Sequence, residues 1–96
     1  MAEYRLSPAA ERDLESIWLY SQAQWGLEQA HHYIDIMSAM FETLANSPKT
    51  AQACDDIRTG YRRKCVLQHV IYFRITSYGI AVMRILHGRM DAPRHL

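Results

Sequence analysis

The sequence predicts an α+β domain in the order β-α-α-β-β-β, a helix hairpin packed on one face of a small, mainly antiparallel four-stranded sheet. Three observations carry that expectation. Residues 2–6 alternate in polarity, two long stretches with helical periodicity meet at Gly26, and the last third holds three apolar runs separated by turn residues.

In Ala2–Leu6, Ala2, Tyr4 and Leu6 point one way while Glu3 and Arg5 point the other, the pattern of a short strand with one buried face. Ser7-Pro8 follows as a helix start, the hydroxyl serving as N-cap and the proline filling the first helical position. Glu11 and Asp13 sit near the positive end of that helix. Ala10, Leu14, Ile17, Trp18 and Trp25, with Ser21, form its buried stripe, and Gly26 ends it. A second helix is expected from Leu27 to Asn46, before Pro48, with Ala30, Tyr33, Ile34, Met37, Phe41 and Leu44 as its main stripe. A second apolar edge, Ile36 and Met40, either packs on the sheet or offers an adaptable partner surface.

Residues 47–60, with Pro48, Asp55, Asp56 and Gly60, read as a loop. Strands are expected at Tyr61–Leu67, His69–Thr76 and Ile80–His87. Ser77-Tyr78-Gly79 would join the last two as a three-residue turn with Gly79 in the left-handed position. That turn sets Ile75 opposite Ala81, Phe73 opposite Met83 and Ile71 opposite Ile85 on an apolar face. Tyr72 then faces Arg84, and Arg74 faces Val82, on a mixed one. It also brings His69 across from His87.

With 96 residues, the chain has room for one domain, residues 1–96, and for a modest core that a partner would help to stabilise. Its 49% apolar and 22% charged residues exclude disorder and a disulfide scaffold. No run reaches the roughly 18 apolar residues of a membrane span, and residues 1–5 lack the look of a signal peptide. Cys54 and Cys65 are expected as reduced thiols in a cytoplasmic protein. The net charge of +1 hides a dipole: three bases against seven acids in residues 1–50, eight bases against three acids in residues 51–96. So small an excess argues against a protein that lives on phosphate backbone.

Two facing imidazoles, His69 and His87, could act as acid and base, or simply cap the core with their nitrogens satisfied by backbone or water. A third metal ligand is absent unless Asp91 supplies it, and His31 and His32 diverge on their helix. Arg58, Arg62, Arg63 and Lys64 form the densest basic run. On a strand Arg62 and Lys64 share one face and Arg63 takes the other, so the run is either edge protection or a contact for an acidic or nucleic-acid partner. Residues 87–96 are too poor in apolar side chains for core and are expected as a frayed end or an exposed recognition segment. Glycine-rich phosphate loops, nucleophile elbows and paired CxxC motifs are missing.

The chain resembles the ParE branch of the RelE/ParE toxin superfamily. The likeness is carried by Tyr4-Arg5-Leu6-Ser7, Asp13-Leu14, Trp25-Gly26, Ile57-Arg58, Gly60-Tyr61-Arg62, His69 to Ile75, Arg84-Ile85-Leu86-His87, Arg89-Met90-Asp91 and His95-Leu96. The resemblance implies a RelE/ParE-like fold and the toxin of a type II toxin–antitoxin system. Such a toxin inhibits DNA gyrase by binding, blocks replication, arrests growth and stabilises a plasmid or genome. Its implied partner is a ParD-like antitoxin, a ribbon–helix–helix DNA-binding protein. Members of the RelE branch instead cut messenger RNA on the ribosome, and His69, His87 and Arg89 could stand in such positions; near-neutral charge and the Arg89-Met90-Asp91 tail favour gyrase. The expected target-binding residues are His69, His87, Arg89, Met90, Asp91, Arg94 and His95. The expected antitoxin-binding residues are Trp18, Tyr33, Ile36, Met40, Arg58, Arg62, Arg63 and Lys64. Catalytic residues, metal ligands, cofactors, direct nucleic-acid contact and membrane contact are not expected.

Overall fold

The structure is a computed structural model that describes residues 2–96. Strand β1 (Glu3–Leu6) leads into helices α1 (Pro8–Trp25) and α2 (Leu27–Asn46), which meet at Gly26 as expected. A 3-10 turn (Pro48–Thr50) and strands β2 (Gln52–Ala53), β3 (Tyr61–Val66), β4 (His69–Ile75) and β5 (Gly79–His87) follow, and a single-turn helix α3 (Ala92–His95) closes the chain. The sheet order is β1-β5-β4-β3-β2, with β1 parallel to β5 and every other pair antiparallel.

The start of α1 is built as its sequence requires. Ser7 Oγ accepts from the Ala10 N–H at 3.0 Å and donates to the Met83 carbonyl at 2.8 Å, so the cap also fastens the helix to β5. Gly26 ends it with φ +91°. Both helices lie on one face of the sheet, where Ile17, Met37, Phe41 and Leu44 meet Val66, Ile71, Phe73, Ile80, Val82 and Ile85. Ile36 and Met40 pack partly buried against this core.

The sheet has five strands rather than four. Two residues cannot show an alternating pattern, so β2 left no periodic trace in the loop; pairing of Gln52 with Arg63 and Ala53 with Arg62 reveals it. Arg62 fastens the same loop by donating to the Ala51 carbonyl at 2.8 Å.

The β4–β5 hairpin reaches the expected register by another route. Its turn has two residues, Ser77 and Tyr78, closed by Thr76 N–H donating to the Gly79 carbonyl at 2.9 Å, which pairs Ile75 with Ile80, Arg74 with Ala81 and Phe73 with Val82. A bulge then leaves Met83 without a partner on β4 and restores the expected pairs from Tyr72–Arg84 to His69–His87. The bulge flips the near half of β5: Ile80 and Val82 face the helices where Ala81 and Met83 were expected. Ile75, expected inside, is 40% exposed at the turn. Gly79 serves the sheet more than the turn. A Cβ there would lie 2.0 Å from the Glu3 carbonyl oxygen, because β1 crosses directly beside it.

The tail corrects a further expectation. It is not frayed, since Ala92 is buried and Leu96 packs with Cys54, Tyr72 and Leu86 in a second apolar cluster, while Arg89, Met90, Asp91, Arg94 and His95 remain exposed. Ala92 and Leu96 are four residues apart and share one face of a single helical turn, a spacing too brief to register as periodicity.

Candidate partner-binding cleft

His69 opens β4 and His87 closes β5, so the antiparallel register sets them side by side at one end of the sheet, ring centroids 5.4 Å apart and nearly perpendicular. Tyr33, buried on α2, reaches them. Its phenol oxygen accepts from the Gln68 N–H at 3.3 Å and shares a hydrogen bond with His69 Nδ1, 2.6 Å away. The backbone N–H of Arg89 donates to His87 Nδ1 at 3.1 Å. His87 Nδ1 therefore acts as an acceptor, whereas the tautomer of His69 sets which partner donates in its bond to Tyr33. Burial, then the facing His87 imidazole, holds His69 below its ordinary pKa, with Asp13 pulling the other way. Burial pushes the Tyr33 phenol up, opposed by the Gln68 N–H.

An aromatic string extends outward from the pair. Tyr33 stacks on Trp25 at 5.9 Å, and Trp25 meets Tyr20 edge-on at 6.2 Å. Tyr20 is 60% exposed and Trp25 46%, so apolar surface stands open beside the hairpin turn, continued by Leu67 and Met90. Two clefts flank this string. One of about 560 Å³ lies between Trp25, Tyr33, Ile36 and Leu67. The other, about 370 Å³, lies over His69 and His87 and is rimmed by Tyr20, Trp25, Met90 and Asp13.

Asp13 is the only acidic side chain in the second cleft, and no lysine or arginine lines it. Its carboxylate is occupied. Arg84 grips it through two parallel bonds, Nε to Oδ2 at 2.7 Å and Nη2 to Oδ1 at 2.9 Å, and Ile85 N–H donates to Oδ2 at 2.9 Å. Hydrogen bonding to Asp13 raises the Arg84 pKa. The third arm of the guanidinium, Nη1, donates to the His95 carbonyl at 2.8 Å. No cluster of three or more His, Cys, Asp or Glu side chains that could hold a metal ion occurs among the described residues.

The structure gathers His69, His87 and Met90 at one cleft. Arg89 is exposed beside them, while Asp91, Arg94 and His95 stand exposed on the tail, with Arg94 Nε 3.4 Å from Asp91 Oδ2. The second expected set is divided among different surfaces. Trp18 lies in a groove between the helices with Leu14 and Ile34, Ile36 lines the larger cleft, and Met40 packs on the core. Tyr33 is largely interior. Arg62 and Lys64 pair with Phe73 and Ile71, and Arg63 pairs with Tyr72 on the other face, as strand alternation required. Arg58 lies 5.7 Å from the Tyr61 ring centroid.

Sequence reasoning singled out neither the Asp13–Arg84 pair nor the rim of Tyr20, Leu67 and Gln68. Asp13 and Arg84 stand 71 positions apart, and no local pattern links them. Exposed tyrosine on the solvent side of a helical stripe was the one signal available for Tyr20.

These features define the class: a small α+β domain of one strand, a helix hairpin and an antiparallel meander, with an aromatic-rimmed cleft where the hairpin turn meets the sheet end. The chain belongs to the ParE toxins; the family model described as "ParE toxin of type II toxin-antitoxin system, parDE" matches residues 4–92. It is similar to Toxin ParE1 of Mycobacterium tuberculosis (strain CDC 1551 / Oshkosh), 41% identical over 96 residues that cover 99% of this chain and 98% of the relative. It is also similar to Toxin ParE1 of Caulobacter vibrioides, 40% identical over 100% of this chain and 99% of the relative. Among solved structures, a chain of the "Chromosomal ParDE TA system from P. aeruginosa" superposes with a TM-score of 0.77 over 91% of this chain and 96% of that one. At 18% identity that likeness speaks for the fold.

Proposed function

We propose that this ParE-family toxin acts in the cytoplasm by binding DNA gyrase and blocking replication, without covalent chemistry of its own, and that a ParD-like antitoxin neutralises it. The observation that carries the reading is the lining of the cleft over the histidine pair. Beside the two imidazoles, Ser16, Ser21 and Gln68, it offers aromatic and aliphatic side chains, no lysine or arginine, and one carboxylate already gripped by Arg84, which suits protein side chains better than a phosphodiester. Both imidazole Nδ1 atoms are hydrogen-bonded within the protein, as in a structural cap. No helix among the described residues is long and apolar enough to cross a membrane, which agrees with a cytoplasmic target.

Under this reading His69, His87 and Met90, with Arg89, Asp91, Arg94 and His95, form the target-binding end. Trp18, Ile36, Met40 and the basic residues 58–64 are the candidates for the antitoxin, whose acidic segments would meet the basic half of the chain. A second reading, cleavage of messenger RNA on the ribosome, is favoured by one observation: two imidazoles open together into a cleft. The purified chain is tested against gyrase on supercoiled plasmid and against translating ribosomes with labelled message. Inhibition of gyrase with the message intact supports the proposal. Message cleavage that His87→Ala abolishes, with gyrase unaffected, overturns it.

A further inference from the structure

Arg84 stands where three parts of the chain converge. Its Nε and Nη2 hold Asp13 of α1, and its Nη1 holds the carbonyl of His95 in the tail. Asp13 in turn accepts the Ile85 N–H, on the side of β5 that β1 no longer covers past Val82. The carboxylate therefore fixes both the base of the arginine and the plane of its guanidinium. A planar fork held on one side by two parallel bonds has no freedom left on the third arm. Its direction is set, and it meets His95 at 2.8 Å.

The start of residues 88–96 is tied to the body, Gly88 N–H donating to the Gln68 carbonyl at 2.9 Å and Arg89 N–H donating to His87 Nδ1 at 3.1 Å. Little else secures the residues that follow. Ala92 is buried and Leu96 packs on the cluster of Cys54, Tyr72 and Leu86, and Met90 N–H donates to the His87 carbonyl at 2.9 Å. The Arg94–Asp91 pair is local to the tail and exposed, so it cannot anchor the segment to the body. A single-turn helix does not hold itself together in water, so its pose depends on such outside contacts.

We propose that Asp13 and Arg84 are positioning residues that latch the tail, presenting Arg89, Met90, Asp91, Arg94 and His95 to the macromolecular target in one pose. The inference rests on the reading of the tail as target-binding. The latch itself is a separate physical claim, and Cys54 reports on it. That thiol is fully buried in the cluster that includes Ala92, whereas Cys65 is exposed.

The test uses the full chain in a Cys65→Ser background, with a thiol-reactive disulfide reagent as probe. Arg84→Lys retains the charge beside Asp13 but lacks the fork, and Asp13→Asn removes the charge that orients it. Each is expected to raise the rate of Cys54 labelling about tenfold, the factor that corresponds to about 1.4 kcal/mol. Each is also expected to raise the concentration that half-inhibits gyrase about tenfold. A purely structural role would lower the melting midpoint and raise labelling of buried groups together. Labelling is therefore compared with Phe73→Leu, a core variant in β4 away from the tail. At an equal midpoint, faster labelling in the Arg84 variant than in the Phe73 variant supports the latch, and equal labelling overturns it. Faster labelling with gyrase inhibition unchanged overturns the positioning role. A parent chain that leaves gyrase untouched overturns the reading of the function instead, while the labelling result still judges the latch.

Discussion

Replacing Tyr33 by Phe removes one oxygen atom and leaves the ring that stacks on Trp25 in place. That oxygen takes part in two hydrogen bonds, one shared with His69 Nδ1 at 2.6 Å and one accepted from Gln68 N–H at 3.3 Å. The first is short and partly buried; the second is long and weak. A net hydrogen bond contributes about 1 kcal/mol, and an orphaned polar group costs about 1–3 kcal/mol when buried, so the loss at this partly buried site should come to about 2 kcal/mol. For a domain of this size 1 kcal/mol moves the midpoint by roughly 4–8 °C, so melting should fall by about 10 °C. Without the phenol, His69 Nδ1 loses its partner, and the imidazole should titrate at a different pH from that in the parent chain. Thermal unfolding followed by circular dichroism and an NMR titration of the histidine ring protons measure the two effects. A midpoint shift under about 2 °C together with an unchanged His69 titration would refute the assignment of the pair as a satisfied, structural cap.

Gly79→Ala should be far more damaging than Gly60→Ala. Both glycines have positive φ, but a Cβ at Gly79 meets the Glu3 backbone, whereas nothing lies within 4 Å at Gly60. The first should cost about 4 kcal/mol or more and release β1, seen as lost amide protection at Glu3–Leu6; the second should cost about 1 kcal/mol in chemical denaturation. Stability should also fall in mild acid. His69 is held below its ordinary 6.5, so the unfolded chain takes up a proton first. Its stabilising contribution is complete above about pH 6.5 and is lost as pH falls through that value towards the lower folded one. The melting midpoint should drop between about pH 7.5 and pH 5.5, and His69→Gln should flatten that drop.

Much of the fold was legible because it is locally encoded. Ser7-Pro8, the apolar stripes and the break at Gly26 set both helices to the residue, since capping and 3.6-residue periodicity act within a few positions. The facing of His69 and His87 was also foreseen, although two departures cancelled to produce it. A turn one residue shorter than expected moved the register by one, and the bulge at Met83 moved it back. Alternation alone could not separate these routes, because Ile80, Val82 and Ile85 are as apolar as Ala81 and Met83.

What the sequence by itself determined is the order and character of the elements, the helix boundaries and the apolar faces. These depend on interactions between near neighbours, whose spacing is written along the chain. Tertiary structure alone decided the fifth strand, the docking of Ala92 and Leu96, the Tyr33–His69 bond and the grip of Arg84 on Asp13. Each joins residues or short segments whose meeting depends on how the whole sheet and hairpin close. Hydrogen-bond and ion-pair geometry is satisfied only after that closure, and no periodicity announces it beforehand.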